Sequence, residues 1–232
     1  MLIAEEMLLL CTDAVSGQKT VGGDRLEPAL TGALVAELAL CGRIRVGQPS
    51  GPRAERGRVS VINPAPVGDQ LLDAALARLT DFQGKRVKDL LGGLGHNKLI
   101  KNLADLLRQR LVVGGVLARE DKRLLGVFTS TTFPEVDPRP EQEVRERVAA
   151  VLLAGHLPDE RTATLIALLL SIGQLGKLLP GRDRRQLNAR AKSVAEGDAV
   201  SAAVKHSIDE VAAAVLVVVT AAGTVSAGGA GS

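Results

Sequence analysis

Trp and Tyr are absent from this 232-residue chain, and only three Phe are present. Proteins that hold single-stranded nucleic acid without sequence preference stack its bases on aromatic side chains, so no nucleic-acid partner is expected. The core must come from Leu, Val, Ile and Ala instead, and Leu- and Ala-rich stretches favour helix over sheet. Cysteine is scarce too. Cys11 and Cys41, each in an apolar run, read as two buried thiols of a reducing compartment rather than as a disulfide framework. The three His, at 96, 156 and 206, have no second His or Cys at ligand spacing, which argues against a metal site; no cofactor is expected. The apolar run 211–223 falls short of the roughly 20 residues a membrane-spanning helix needs. The first residues lack a basic start and carry Glu5 and Glu6, which argues against a secretory signal.

Catalytic motifs are also missing. No GxSxG, Walker A, GxGxxG or HExxH occurs. Gly92-Gly93-Leu94-Gly95 precedes a helix but lacks the Lys-Ser/Thr of a phosphate loop, so it reads as a connection. Acidic residues are expected mostly on helix surfaces, and no acid–base couple stands out. An enzyme is not expected; the weak competing reading places a site near Asp13, Asp24 and His96.

What the chain does have is a globular balance, 46% hydrophobic and 24% charged. Its net charge of +3 is unevenly placed. Segment 85–123 carries ten Lys/Arg against four Asp/Glu, and segment 41–60 carries five Arg against one Glu. The Arg-, Ala-, Gly- and Val-rich composition suggests a bacterial source.

Periodicity and breakers predict a mainly α fold: one helical domain over 1–222 with protruding β-hairpins, then a flexible Gly/Ala/Ser tail over 223–232. Helices are expected at 2–11, 29–40 (capped by Asp24), 70–79 (capped by Asp69), 87–91, 96–113, 141–153, 159–170, 174–178, 182–195 and 200–222. Alternation at 43–46 and 58–61 reads as a hairpin around a basic loop. The run 123–128 reads as a strand of a second hairpin. Glu37, alone among apolar neighbours, is expected to form a salt bridge or to cap a loop. In the 96–113 helix, Leu99, Ile100, Leu103, Leu106 and Leu107 make the apolar face, and Lys98, Lys101, Asp105 and Arg108 the solvated one.

Several blocks then carry a resemblance: Glu5-Glu6-Met7-Leu8-Leu9-Leu10, Leu30-x-Gly32 running into Glu37-Leu38-Ala39-Leu40-x-Gly42-Arg43-Ile44, Gly68-Asp69-x-Leu71-Leu72-Asp73-x-Ala75-Leu76, and the amphipathic helix ending in Gly115-Val116-Leu117. In this order and spacing the chain resembles the Golgi phosphoprotein 3 family, with Arg123–Pro134 similar to its hairpin. The resemblance implies a peripheral adaptor that binds phosphatidylinositol 4-phosphate in a shallow basic pocket and holds client proteins. Of the pocket positions it implies, the Trp falls on Gly22, one Arg on Thr31, and two further Arg on Lys101 and Ala104. Lys101 alone keeps the charge.

The expected function is therefore binding of anionic phospholipid headgroups through Lys101, Arg25, Lys98 and Arg108, on the inner, cytoplasmic face of a membrane, while holding a client protein. The alternative is a soluble interaction module that has lost lipid binding. Leu124, Leu125, Val127 and Phe128 of the second hairpin are expected to meet either the membrane or a second copy of the chain.

Overall fold

Helix α2 (Gly23–Leu40) is buried on almost every side, and the rest of the chain is arranged around it. The fold is a computed structural model, which describes residues 1–47, 52–93, 96, 98–124, 128–196 and 202–227. Ahead of α2 comes α1 (Ile3–Leu10), and after it β1 (Ile44–Val46), β2 (Val59–Val61), α3 (Gln70–Asp81), α4 (Val87–Leu91) and α5 (Leu103–Val113). Strands β3 (Glu120–Leu124) and β4 (Phe128–Thr132) follow, then α6 (Arg139–Ala154), α7 (Glu160–Ser171), α8 (Leu175–Leu178), α9 (Arg184–Glu196) and α10 (Ala202–Ala227). This is the mainly helical domain with two β-hairpins that the sequence predicts. Helices α1, α3, α4, α5, α7 and α10, together with β1, pack on α2.

Local chemistry explains the boundaries. Asp69 Oδ1 accepts the Leu71 and Leu72 amides at 2.9 and 3.2 Å and starts α3. Asp159 Oδ1 accepts the Thr162 amide at 2.6 Å and starts α7. Each satisfies amides that the first helical turn leaves open. Asp24 does not act this way. Helix α2 begins at Gly23, so Asp24 lies inside its first turn, where a negative charge still favours the helix dipole. In the first hairpin Ile44 pairs with Val61 and Val46 with Val59, antiparallel. In the second the predicted strand 123–128 is divided: β3 ends at Leu124 and β4 begins at Phe128, which faces it. The Thr/Ser run expected to follow the strand is itself β4, and Asp121 accepts the Thr131 hydroxyl across the pair at 2.6 Å. Leu125 and Val127 lie outside the described residues, as do residues 48–51 of the loop joining β1 to β2. Residues 223–227, expected in the tail, continue α10.

Two expectations about burial need correction. Cys41 is exposed, because it caps the end of α2 where the chain turns outward. Cys11 is buried, and desolvation pushes its thiol up to about 12. The carboxylates are not confined to surfaces either: Glu5, Glu6, Glu37 and Glu141 are buried. Glu37 does what its isolation implies. It accepts the Ile3 amide at 2.7 Å and pairs with Arg161. Glu5 pairs with Arg110 at 2.8 Å, and Glu6 with Arg147 at 2.8 Å.

Gly32 sets how closely α10 approaches α2. A Cβ there would lie 2.7 Å from Val215 Cγ2 and 3.2 Å from Val211 Cγ1. Both valines are fully buried and β-branched, so neither side chain can turn away. Gly32→Ala gains about 1 kcal/mol of helix propensity but overpacks the seam by about 1–3 kcal/mol. Chemical denaturation should show a net loss of stability; a gain would mean that α10 does not sit this close.

Candidate functional site

The start of α5 decides the geometry of the basic residues. The helix does not begin near His96. Asn102 adopts a left-handed conformation, φ 52°, and α5 begins at Leu103. Residues 98–102 form turns, so a helical phase extrapolated from residue 96 fails. The inward face of α5 is Leu103, Ala104, Leu107, Arg108 and Leu111, while Leu106 is exposed. Arg108 is thus on the core side, not the solvated one.

Lys101 is exposed and Lys98 half-buried at the entry to α5, and neither has an ion-pair partner among the described residues. Beside them, Thr31 and Ala104 are buried. Glu27 lies between these two: its Oε1 accepts the Ala104 amide at 3.4 Å, and its backbone carbonyl accepts the Thr31 hydroxyl at 3.0 Å. The helix start that would attract an anion is faced by the chain's own carboxylate. Arg25 precedes Glu27 by two positions, about 200° around the helix. It lines a separate groove with Gly22, Asp24, Gln174, Lys177 and Arg184. Lys177 donates across this groove to the Thr20 carbonyl. The four cations expected to act together are therefore divided: Lys98 and Lys101 at the entry to α5, Arg25 in the α2–α8 groove, and Arg108 in a cavity on the hairpin side.

That cavity, of about 880 Å³, lies between the loop after α1, α5 and the β3–β4 hairpin. Arg108, 4% exposed, bonds Asp105 through Nη1 at 2.7 Å, and its guanidinium carbon lies 5.4 Å from the centre of the Phe133 ring. Gly17 closes the loop against the backbone of Phe133 and Pro134 with φ +65°; a Cβ there would overlap Phe133. The two basic segments of the sequence also meet. The backbones of Arg58 and Arg86 form an antiparallel bridge, and the Val87 amide donates to the Gly57 carbonyl at 2.9 Å.

Asp13, Asp24 and His96 line no described cavity together. Asp13 caps its own turn, and the Ser16 hydroxyl and amide hold its carboxyl below the usual range. Sequence reasoning missed Glu27 at the start of α5, Lys19, Arg119 and Thr132 in the lining of the hairpin-side cavity, and Glu135 at the base of the hairpin. For Arg108, the spacing from Leu103 through Leu107 to Leu111 carried the signal once the true helix start was known.

Taken together, these features define a mainly helical domain with separate cationic surfaces and, among the described residues, no helix long and apolar enough to cross a membrane. The sequence matches the family model described as Golgi phosphoprotein 3 (GPP34) over residues 3–211, and the chain belongs to this family. It is 28% identical to vacuolar protein sorting-associated protein 74 of Eremothecium gossypii over 172 residues, 69% of this chain and 51% of that protein. It is also 28% identical to the protein of that name from Schizosaccharomyces pombe over 162 residues, 65% of this chain and 48% of that protein. The chain thus spans about half the length of these curated relatives.

Glu135 lies at the base of the hairpin, where its amide donates to the Ala14 carbonyl at 2.9 Å. Its Oε1 is buried without a hydrogen-bond partner. Desolvation, reinforced by Glu141, Asp13 and Asp137 and only partly offset by Arg145, raises its carboxyl from 4.5 to about 7. An acid whose pKa is raised by folding binds its proton more tightly in the folded state, so stability falls as pH rises between about 4.5 and 7. Glu135→Gln should melt close to the parent at pH 4.5 and above it at pH 8. Parallel melting curves across that range would contradict this assignment.

Proposed function

We propose that this chain is a peripheral adaptor that rests on anionic phospholipid and holds a client protein, without enzymatic activity of its own. Family membership supports the adaptor role. The relatives' name refers to vacuolar protein sorting, which fits client handling. The observation that carries the lipid reading is that Lys98 and Lys101 stand together at the entry to α5, with Arg25 in its separate groove, and none of the three has an ion-pair partner among the described residues.

The attraction is generic. Gly22, Thr31 and Ala104 supply neither an aromatic wedge nor a bidentate guanidinium, and Lys101 offers only a point charge. Phosphatidylinositol 4-phosphate is then one acceptable anionic lipid among several. Each exposed Lys or Arg contributes about 1 kcal/mol near an acidic leaflet, and salt weakens the effect. The membrane concerned is the inner, cytoplasmic face, and the second hairpin pairs with another copy of the chain.

Glu27, which faces the start of α5, supports a second reading: a soluble interaction module that has lost lipid binding. Vesicle co-sedimentation separates the two. Anionic vesicles should retain the protein at low salt with little preference among headgroups. Replacing Arg25, Lys98 and Lys101 by Ala together should weaken binding on the order of 100-fold. Equal partition to neutral and anionic vesicles at low salt favours the soluble module. Deleting 123–132 should lower the sedimentation coefficient of the purified protein; an unchanged monomer removes the pairing.

A further inference from the structure

We propose that the cavity between α5 and the β3–β4 hairpin binds a small phosphate monoester, held by Arg108 and Thr132. It is separate from Lys98 and Lys101 at the entry to α5, on which the proposed membrane contact rests.

Two independent side chains point to a ligand. Arg108 is 4% exposed, and its Nη2 is buried with no hydrogen-bond partner, although Nη1 is held by Asp105. Thr132, 8% exposed, lines the same cavity, and its Oγ1 is also buried and unpartnered. Buried polar groups are nearly always paired, and each that is not weakens the fold. Two on one cavity wall, a guanidinium donor and a hydroxyl, form a set that an oxyanion satisfies.

The lining selects the chemistry. Lys19, Arg108 and Arg119 contribute three cations against the carboxylate of Asp105 on the wall and that of Asp121, which pairs with Arg119 at 3.4 Å, and Gln18 and Gln109 add neutral polar groups. Val112, Val113 and Phe133 supply an apolar wall for the organic part. The volume of about 880 Å³ is that of a small-molecule site. A phosphate monoester carries enough acceptor oxygens to meet Arg108 Nη2 and the Thr132 hydroxyl at once, on a wall that stays net positive. Asp105, whose side chain is 68% exposed, already occupies one edge of the guanidinium as an oxyanion would. The incoming phosphate competes with it or binds beside it.

Calorimetry on the full chain, with inorganic phosphate and glycerol 3-phosphate as probes at matched ionic strength, tests this. Saturable binding is expected, tighter for the ester. Thr132→Val should weaken it by about tenfold while raising the melting temperature of the ligand-free protein, because an unpaired buried hydroxyl is removed. Asp105→Asn should tighten it by roughly fivefold, because a competing charge is removed. A merely structural Thr132 or Asp105 would move neither affinity in these directions. Arg108→Met should abolish binding; should that variant not fold, the other two carry the test. Lys98→Ala with Lys101→Ala should leave phosphate binding unchanged, even where vesicle binding is lost. Vesicles with and without phosphatidic acid identify the source. Weaker binding of Thr132→Val to the phosphatidic acid vesicles marks a lipid headgroup, and an effect on the soluble esters alone marks a free metabolite. Absence of saturable binding by the unaltered chain, or equal affinity in Thr132→Val and the parent, overturns the proposal.

Discussion

Glu5, Glu6 and Glu37 are ionisable side chains held inside an aliphatic core, and the arginines that face them come from far along the chain. Arg110 of α5 joins Glu5 to Asp69, the residue that caps α3. Arg147 of α6 meets Glu6, and Arg161 of α7 meets both Glu6 and Glu37. Every residue of α1 is buried, so this short helix is held by apolar contact and by these bonds together. A buried pair contributes little net stability over an apolar replacement, but an unpaired buried carboxylate costs about 3–5 kcal/mol. The network therefore acts mainly as a registry device. Its bonds tie α1 to α2, α5, α6 and α7 in one register.

That registry fixes the cationic surfaces. With Arg110 turned toward Glu5 and Asp69, α5 must present Leu103, Leu107 and Leu111 to the core, and Arg108 is carried inward beside them. The same rotation leaves Leu106 outside and sets Ala104 against Glu27. Cations that are adjacent in sequence then serve different surfaces. Lys101 is exposed and Lys98 half-buried at the entry to α5, while Arg108 lies against Phe133. The polar character of the hairpin cavity and the self-capped start of α5 follow from one choice of helix phase.

Much of this was legible beforehand. Periodicity and breakers placed α3, α4 and α7 closely, and Asp69 was legible as the cap of α3 because it satisfies amides within its own turn. The first hairpin was legible because alternation and flanking turn residues are local. Glu37 was legible because an acid among apolar neighbours requires a partner, though Arg161 lies 124 residues away. The division of 123–128 between two strands was not legible, because an apolar run looks the same on either side of a turn. Nor was the exposure of Cys41, which depends on where α2 ends.

The sequence by itself determined the helical class, the family, the first hairpin and the need of Glu37 for a partner, since each of these depends on composition, spacing or chemistry within a few turns. The tertiary structure decided which cations share a surface and which stand apart. Helix phase is set by the whole core: a left-handed residue at Asn102 shifts the start of α5 by several positions, and no local pattern records which side of the new helix the rest of the chain will cover.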